Sequence, residues 1–243
     1  MNLRTIQFIV FLLVPIVNFG VNFFFPSPFA DDMRVLIQPA GYAFSIWGPI
    51  FLGMIYYSWF QMKVERVESK YLNDATKAGI LAGLASIAFV PISYSDIQWL
   101  ALINILWHLG ALLWLFSSLR QHIKLEKHPK AHIYYIPTQM YLGWICAATA
   151  ISAALMLTEA GVQLDLDAQV IITAVIIAVL VLIGGYMAYN KGRVVPLIFI
   201  WALIGVIVES GSFPIIKYSS MTGILLLAII TIPQIVKSKR LAF

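Results

Sequence analysis

The residues in this chain best placed to do chemistry are a few polar side chains inside long apolar runs. Asn18 and Asn22 lie four apart in the first run, and Asn104, Trp107 and His108 share one face of the fourth at i, i+3 and i+4. Gln139, Tyr141 and Trp144 occupy the fifth. Polar groups in hydrocarbon are costly, so each either bridges neighbouring helices or meets something polar that enters between them. His108 is the one histidine inside such a run. A neutral, hydrogen-bonded packing role fits it, and so does a role as ligand contact or proton carrier.

Other chemistries find little support. An enzyme needs a nucleophile, an acid/base pair or a metal held together, and no zincin motif, phosphate loop or nucleophile elbow is present. His122, His128 and His132 fall in one basic stretch with Glu126 as the sole nearby acid, which reads as a solvated loop better than as a metal site. Neither catalytic nor metal-binding residues are therefore expected. The single cysteine, Cys146, excludes an intramolecular disulfide framework and a thiolate cluster, and reads as a small buried hydrophobe. A coupled transporter would be expected to bury several ionisable groups, whereas only His108 and Glu209 qualify. Glu209 sits just before Ser210-Gly211-Ser212-Phe213-Pro214, which looks like a helix ending.

Aromatic residues are the second signal. The stretch Pro39-Ala40-Gly41-Tyr42-Ala43-Phe44-Ser45-Ile46-Trp47-Gly48-Pro49 leads into the second apolar run, which continues through Tyr56, Tyr57 and Trp59. An interfacial belt accounts for many of these rings. Their density beside a long connection also suits the wall of a site for a flat apolar ligand.

The elements that must position these groups follow from composition. The chain has 243 residues, 61% hydrophobic and 11% charged, with a mean hydropathy of +0.88. A soluble domain of that length could not cover so much apolar surface. Eight apolar runs, at about 5–25, 42–62, 76–93, 97–119, 133–157, 168–188, 194–212 and 218–236, predict membrane-spanning helices, the third and seventh being the shortest. The first exceeds a signal-peptide core and lacks a cleavage pattern after it, so it reads as a retained span. With the N-terminus inside, every basic residue except Arg34 and Lys217 falls in a cytoplasmic segment, which predicts eight crossings with both termini in the cytoplasm. The net charge of +5 is spread through those short loops, so nucleic acid is not an expected partner. Asp96 after Ser95 is a predicted N-cap for the fourth helix. Cholesterol-type patterns at Leu182/Tyr186/Lys191 and Val67/Tyr71/Lys77 are at the level of chance.

Two of these stretches carry a resemblance. Pro39 to Tyr57 resembles the loop and second helix of the TspO/translocator-protein family, the tryptophan-rich sensory proteins. Pro137-Thr138-Gln139-Met140-Tyr141-Leu142-Gly143-Trp144, followed by Ala147, Ala148 and Ala150, resembles that family's fifth helix. The Asn-x-x-Trp pair usual in the family's third helix is absent from Leu81 to Val90 and occurs one helix later, as Asn104 and Trp107. The resemblance implies a five-helix TspO-like core over 1–158; with the three further apolar runs as an extension over 159–243, the expected fold is an all-α, polytopic membrane bundle of about eight helices. It also implies binding of a tetrapyrrole or a sterol-like molecule in a pocket between the five helices, closed by the first loop, with a porphyrin entering as ligand and not as resident cofactor. The expected lining is Asn18, Tyr42, Trp47, Tyr56, Tyr141, Trp144 and Ala148, beside the polar face of Asn104, Trp107 and His108. Receptor, sensing or passage roles follow, with transport of a small hydrophobic solute as the alternative and porphyrin breakdown a more distant one. The expected setting is a lipid bilayer, the bacterial cytoplasmic membrane, with room for a homodimer.

Overall fold

Each of the eight apolar runs is a helix in the computed structural model of the protein, which describes residues 2–24, 35–63, 69–94, 98–126, 131–160, 162 and 164–238. The helices are α1 (Leu3–Phe24), α2 (Trp47–Lys63), α3 (Lys70–Ser93), α4 (Gln98–Glu126), α5 (Ala131–Glu159), α6 (Leu166–Tyr189), α7 (Val195–Ser210) and α8 (Pro214–Ser238). A 3₁₀ turn over Gly41–Ile46 precedes α2, and the described residues contain no strand. Only helices satisfy their own backbone groups in hydrocarbon without closing a barrel, so this is the expected outcome of a lipid-facing sequence.

Lengths depart from expectation in two places. α3 is 24 residues long, because a turn and a half containing Lys70, Asn73 and Asp74 extends the helix in front of the run expected from position 76. The short helices are α7, with 16 residues, and α2, with 17, because the 3₁₀ turn takes up the first residues of the run expected from position 42. Six helices are long and apolar enough to cross a bilayer: α1, α3, α4, α5, α6 and α8. Within the stretch expected to be a solvated histidine loop, the described residues 122–126 and 131–132 are helical. His122 lies in α4, is 2% exposed, and its Nδ1 is 3.2 Å from Ser69 Oγ. The apolar face of α4 runs on past Leu119 to Ile123, and this carries His122 inward with it. His128 and the predicted cap Asp96 lie outside the described residues.

Two compact units emerge. Unit 1 holds Met1–Pro28 and Trp47–Leu142; unit 2 holds Phe29–Ile46 and Gly143–Phe243. The boundary therefore falls within α5, and the segment before α2 groups with the later helices.

Unit 1 is built on small residues. α3 packs along α1 and α4, presenting Ala75, Ala78, Gly79, Ala82 and Gly83 as a buried face. A Cβ at Gly79 would collide with the Gln7 side chain and one at Gly83 with Val10, so α1 and α3 approach closely only because these positions carry no side chain. Gly53 of α2 does the same against Pro137 of α5, where a Cβ would sit 2.9 Å from the proline Cβ. The end of the unit bearing the start of α1 is polar inside: Gln61 Nε2 donates to Thr76 Oγ1 at 2.6 Å, and Arg4 Nη1 to the Gln61 carbonyl at 3.4 Å.

Unit 2 uses the same device. Gly184 of α6 faces Leu227 and Phe199, and Gly223 of α8 faces Val181 and Leu203. Asp165 caps α6 by accepting from the Ala168 amide at 2.8 Å. At the other end α6 closes with Lys191 in the left-handed region, φ 70°. The Gly192 amide then donates back to the Met187 carbonyl at 2.8 Å.

Candidate functional site

Five helices of unit 1 converge on one group of the predicted residues. Asn18 of α1 donates through Nδ2 to its own Val14 carbonyl at 2.8 Å and to the Ser86 carbonyl of α3 at 3.4 Å. Trp47 opens α2 and stacks on Phe51, one turn later, with centroids 5.0 Å apart. Its ring also meets Tyr141 of α5 edge-on at 5.8 Å. The Tyr141 ring in turn stands perpendicular to the His108 imidazole of α4 at 4.9 Å. Phe19 of α1 packs its edge on Phe51 at 5.7 Å. The result is a chain of rings, Phe19–Phe51–Trp47–Tyr141–His108, with Asn104 one turn before the histidine.

Tyr141 is 0% and His108 2% exposed, and Asn104 is half-buried. Asn104 Oδ1, His108 Nε2 and the Tyr141 hydroxyl are all buried with no hydrogen-bond partner among the described residues. Ser86 is within reach of the Tyr141 hydroxyl, but no bond of acceptable geometry joins them. Leaving a buried polar group unsatisfied costs about 1–3 kcal/mol each. Three together in a membrane interior are a standing demand for a partner, and no Lys, Arg, Asp or Glu occurs in residues 5–24, 47–62, 78–94, 98–119 or 133–157 to supply one. What the group offers is neutral: an acceptor at Asn104, either role at His108, and a donor and acceptor at Tyr141.

The other predicted residues lie elsewhere. Tyr56 is 49% exposed on the outside of α2, stacked on Trp59 at 5.8 Å. Trp107 is 59% exposed, since one residue of helix turns it about 100° away from His108. Both lie on the outside of their helices and not in the ring chain. Tyr42, Trp144 and Ala148 belong to unit 2. There Tyr42 meets Trp201 edge-on at 5.6 Å, and Trp144, 1% exposed, meets Phe44 at 5.5 Å. Ala148, half-buried, follows one turn after Trp144. Sequence reasoning missed Phe51, Ser86, Phe44 and Trp201. Phe51 was visible as the i+4 neighbour of Trp47, while Trp201 is a lone tryptophan in a short apolar helix and carries no local signal.

Among the described residues, eight apolar helices, six of them long and apolar enough to cross a bilayer, make this an integral α-helical membrane protein. The family model described as TSPO-like protein matches residues 4–233, and the chain belongs to that family. The match continues through α6, α7 and most of α8, so the last three helices lie within the region the family shares. No curated protein and no solved structure matches the chain.

Proposed function

We propose that this protein binds a flat hydrophobic ligand, a tetrapyrrole or a sterol-like molecule, in the membrane without transforming it, as a receptor or sensor. The observation that carries this reading is the trio of unpartnered, buried polar atoms on Asn104, His108 and Tyr141, set against the stacked rings of Trp47 and Phe51. Rings supply contact area for a planar molecule, and the three polar atoms orient it. The chemistry is that of recognition. His108 is the one titratable imidazole of the group, and no carboxylate or second base stands beside it in the charge-free interior to complete an acid/base pair. Family membership supports the reading only at the level of the membrane-protein class. The distribution of basic residues supports placing both termini in the cytoplasm.

Transport is the second reading, and one observation favours it. Gln7, Tyr57 and Gln61, at the end of unit 1 where α1 begins, also carry buried polar atoms without a satisfied hydrogen bond. Gln7 and Asn18 on α1 are separated by roughly 16 Å of helix rise, so polar stations would stand near both ends of the unit.

The test uses the full chain in nanodiscs with protoporphyrin. A saturable complex from which the porphyrin is recovered with unchanged mass, in light and air as in the dark, supports the receptor. Directional loss of porphyrin from proteoliposomes would move the assignment to transport. A product of altered mass would make the protein an enzyme and overturn the proposal.

A further inference from the structure

A second polar group lies within unit 1, at the end where α1 begins. It joins Arg4 and Gln7 of α1, Tyr57 and Gln61 of α2, Thr76 of α3 and Tyr134 of α5. Arg4 is 9% exposed, and Gln7, Tyr57 and Gln61 are fully enclosed at 0%. Part of the group is satisfied from within. Thr76 Oγ1 donates to the Leu72 carbonyl at 2.8 Å and accepts from Gln61 Nε2 at 2.6 Å. Arg4 Nη1 donates to the Gln61 carbonyl at 3.4 Å. The Tyr57 and Tyr134 rings meet edge-on at 5.6 Å, and both lie in the field of the Arg4 guanidinium.

The remainder is open. Gln7 Nε2 and Oε1, the Tyr57 hydroxyl and Gln61 Oε1 are buried without a hydrogen-bond partner among the described residues. Gln7 lies within reach of Tyr57, but no bond of acceptable geometry joins them. Both ends of the Gln7 amide are open, so exchanging its oxygen and nitrogen changes nothing. Nor is the side chain free to withdraw towards α3, because it already lies against the bare Cα of Gly79, where a Cβ would collide with Nε2. Each open atom costs about 1–3 kcal/mol, a cost that a polar group entering among them would remove.

The charge of such a group follows from its surroundings. Arg4 is positive, and His122, whose ring lies 6.4 Å from that of Tyr134, is neutral or positive and never negative. Lys70, Lys77 and Lys124 are exposed at the same end of the unit. Among the described side chains of unit 1 the one carboxylate is Asp74, half-buried. Two residues of helix turn it about 200° away from Thr76. A guanidinium carries several N–H donors in a fork, so its bond to a carbonyl is compatible with a second oxygen. Hydrogen bonds from such donors to an anion are the strong, charge-assisted kind.

We propose that this end of unit 1 is a second binding site, one that takes an oxyanion: a carboxylate or phosphate group that accepts from Gln7 Nε2, the Tyr57 hydroxyl and the Arg4 guanidinium. A water carried in with the anion donates to Gln61 Oε1. The site stands apart from the ring chain, and anion binding here holds whether or not a planar molecule binds there. Free phosphate, a small carboxylate and a lipid headgroup all present the same oxygens.

The experiment uses the full chain in dodecyl maltoside, a detergent without an oxyanion, and reads the melting temperature against added inorganic phosphate, butyrate or dihexanoyl phosphatidylglycerol. A ligand of the folded state raises it in proportion to occupancy, and the probe that acts at the lowest concentration identifies the source. Gln7→Met and Tyr57→Phe remove open polar atoms while keeping the shape of the side chain. The expected result is an anion-free melting temperature equal to or above wild type in both, with the midpoint of the anion effect moved about tenfold higher. Arg4→Gln should abolish the saturable rise. Arg120→Gln, which removes an exposed cation of the same unit, should shift the midpoint by less than about twofold. No saturable rise with any of the three probes overturns the site. Equal midpoints in wild type, Gln7→Met and Tyr57→Phe also overturn it, since the rise is then a general salt effect. Lower anion-free melting temperatures with unchanged midpoints would make Gln7 and Tyr57 packing residues and reject the proposal as well. If Arg4→Gln fails to fold, Gln7→Met and Tyr57→Phe decide, because both keep the charge.

Discussion

The hydroxyl of Tyr141 belongs to a ring that is used, while its oxygen has no hydrogen bond of acceptable geometry among the described residues. The ring contacts Trp47 and His108. Tyr141→Phe removes that oxygen alone. The expected outcome is a ligand-free melting temperature equal to or above wild type, together with weaker porphyrin binding. A purely structural tyrosine would behave the opposite way, losing stability with its hydroxyl. A second residue-scale prediction concerns Lys191, held at φ 70° where α6 ends. A side chain in that conformation is strained and glycine is not, although glycine also loosens the unfolded chain. Lys191→Gly should therefore raise stability by up to about 1 kcal/mol, measured as an upward shift in melting temperature in detergent. A lower melting temperature would mean that the lysine side chain makes a contact worth more than the strain. At this scale Asn104, His108, Trp47 and Tyr141 were legible because a polar or aromatic residue at helical spacing in an apolar run is conspicuous. Trp107 lies outside this group, since one residue of helix turns it away from His108 and leaves it exposed.

Helix association in the two units depends on missing side chains. In unit 1 the glycines at 79 and 83 put α3 directly against Gln7 and Val10 of α1. Lipid gives no hydrophobic drive for helices to associate, so close van der Waals contact must do it. Gly83→Val is expected to destabilise by about 1–3 kcal/mol through overpacking, seen as a lower melting temperature and a shift towards aggregation on size-exclusion chromatography. Unchanged behaviour would show that α1 can slide to make room. The eight helices could be read from hydropathy alone, because each run is long and apolar. Their ends could not. Lys70, Asn73 and Asp74 lengthen α3 with residues that hydropathy discards, and the 3₁₀ turn shortens α2 although most of its residues are apolar. The helical placement of His122 was hidden for the same reason: a basic, histidine-bearing stretch has the composition of a loop, while the apolar positions that carry it inward, Leu119 and Ile123, are only two.

For the whole molecule, the family match over 4–233 and the apolar helices establish the class, and the basic residues carry the orientation argument. Fluorescent-protein fusions at each end should both report the cytoplasm, and one end outside would require α2 or α7, the two short helices, not to cross. The partition of the chain was not legible in sequence. Nothing local marks Leu142–Gly143 as a boundary or assigns Phe29–Ile46 to the later helices, since both follow from contacts made far along the chain at α7. The central claim is that the ring chain and its unpartnered polar atoms bind a planar hydrophobic ligand. The most direct measurement is an absorbance titration of nanodisc-embedded wild type and Tyr141→Phe with protoporphyrin, beside their ligand-free melting curves. Saturable binding in wild type, weakened about tenfold in a Tyr141→Phe protein at least as stable, is the predicted result. Equal binding by the two proteins, or signal that grows linearly with added porphyrin in both, would contradict the claim.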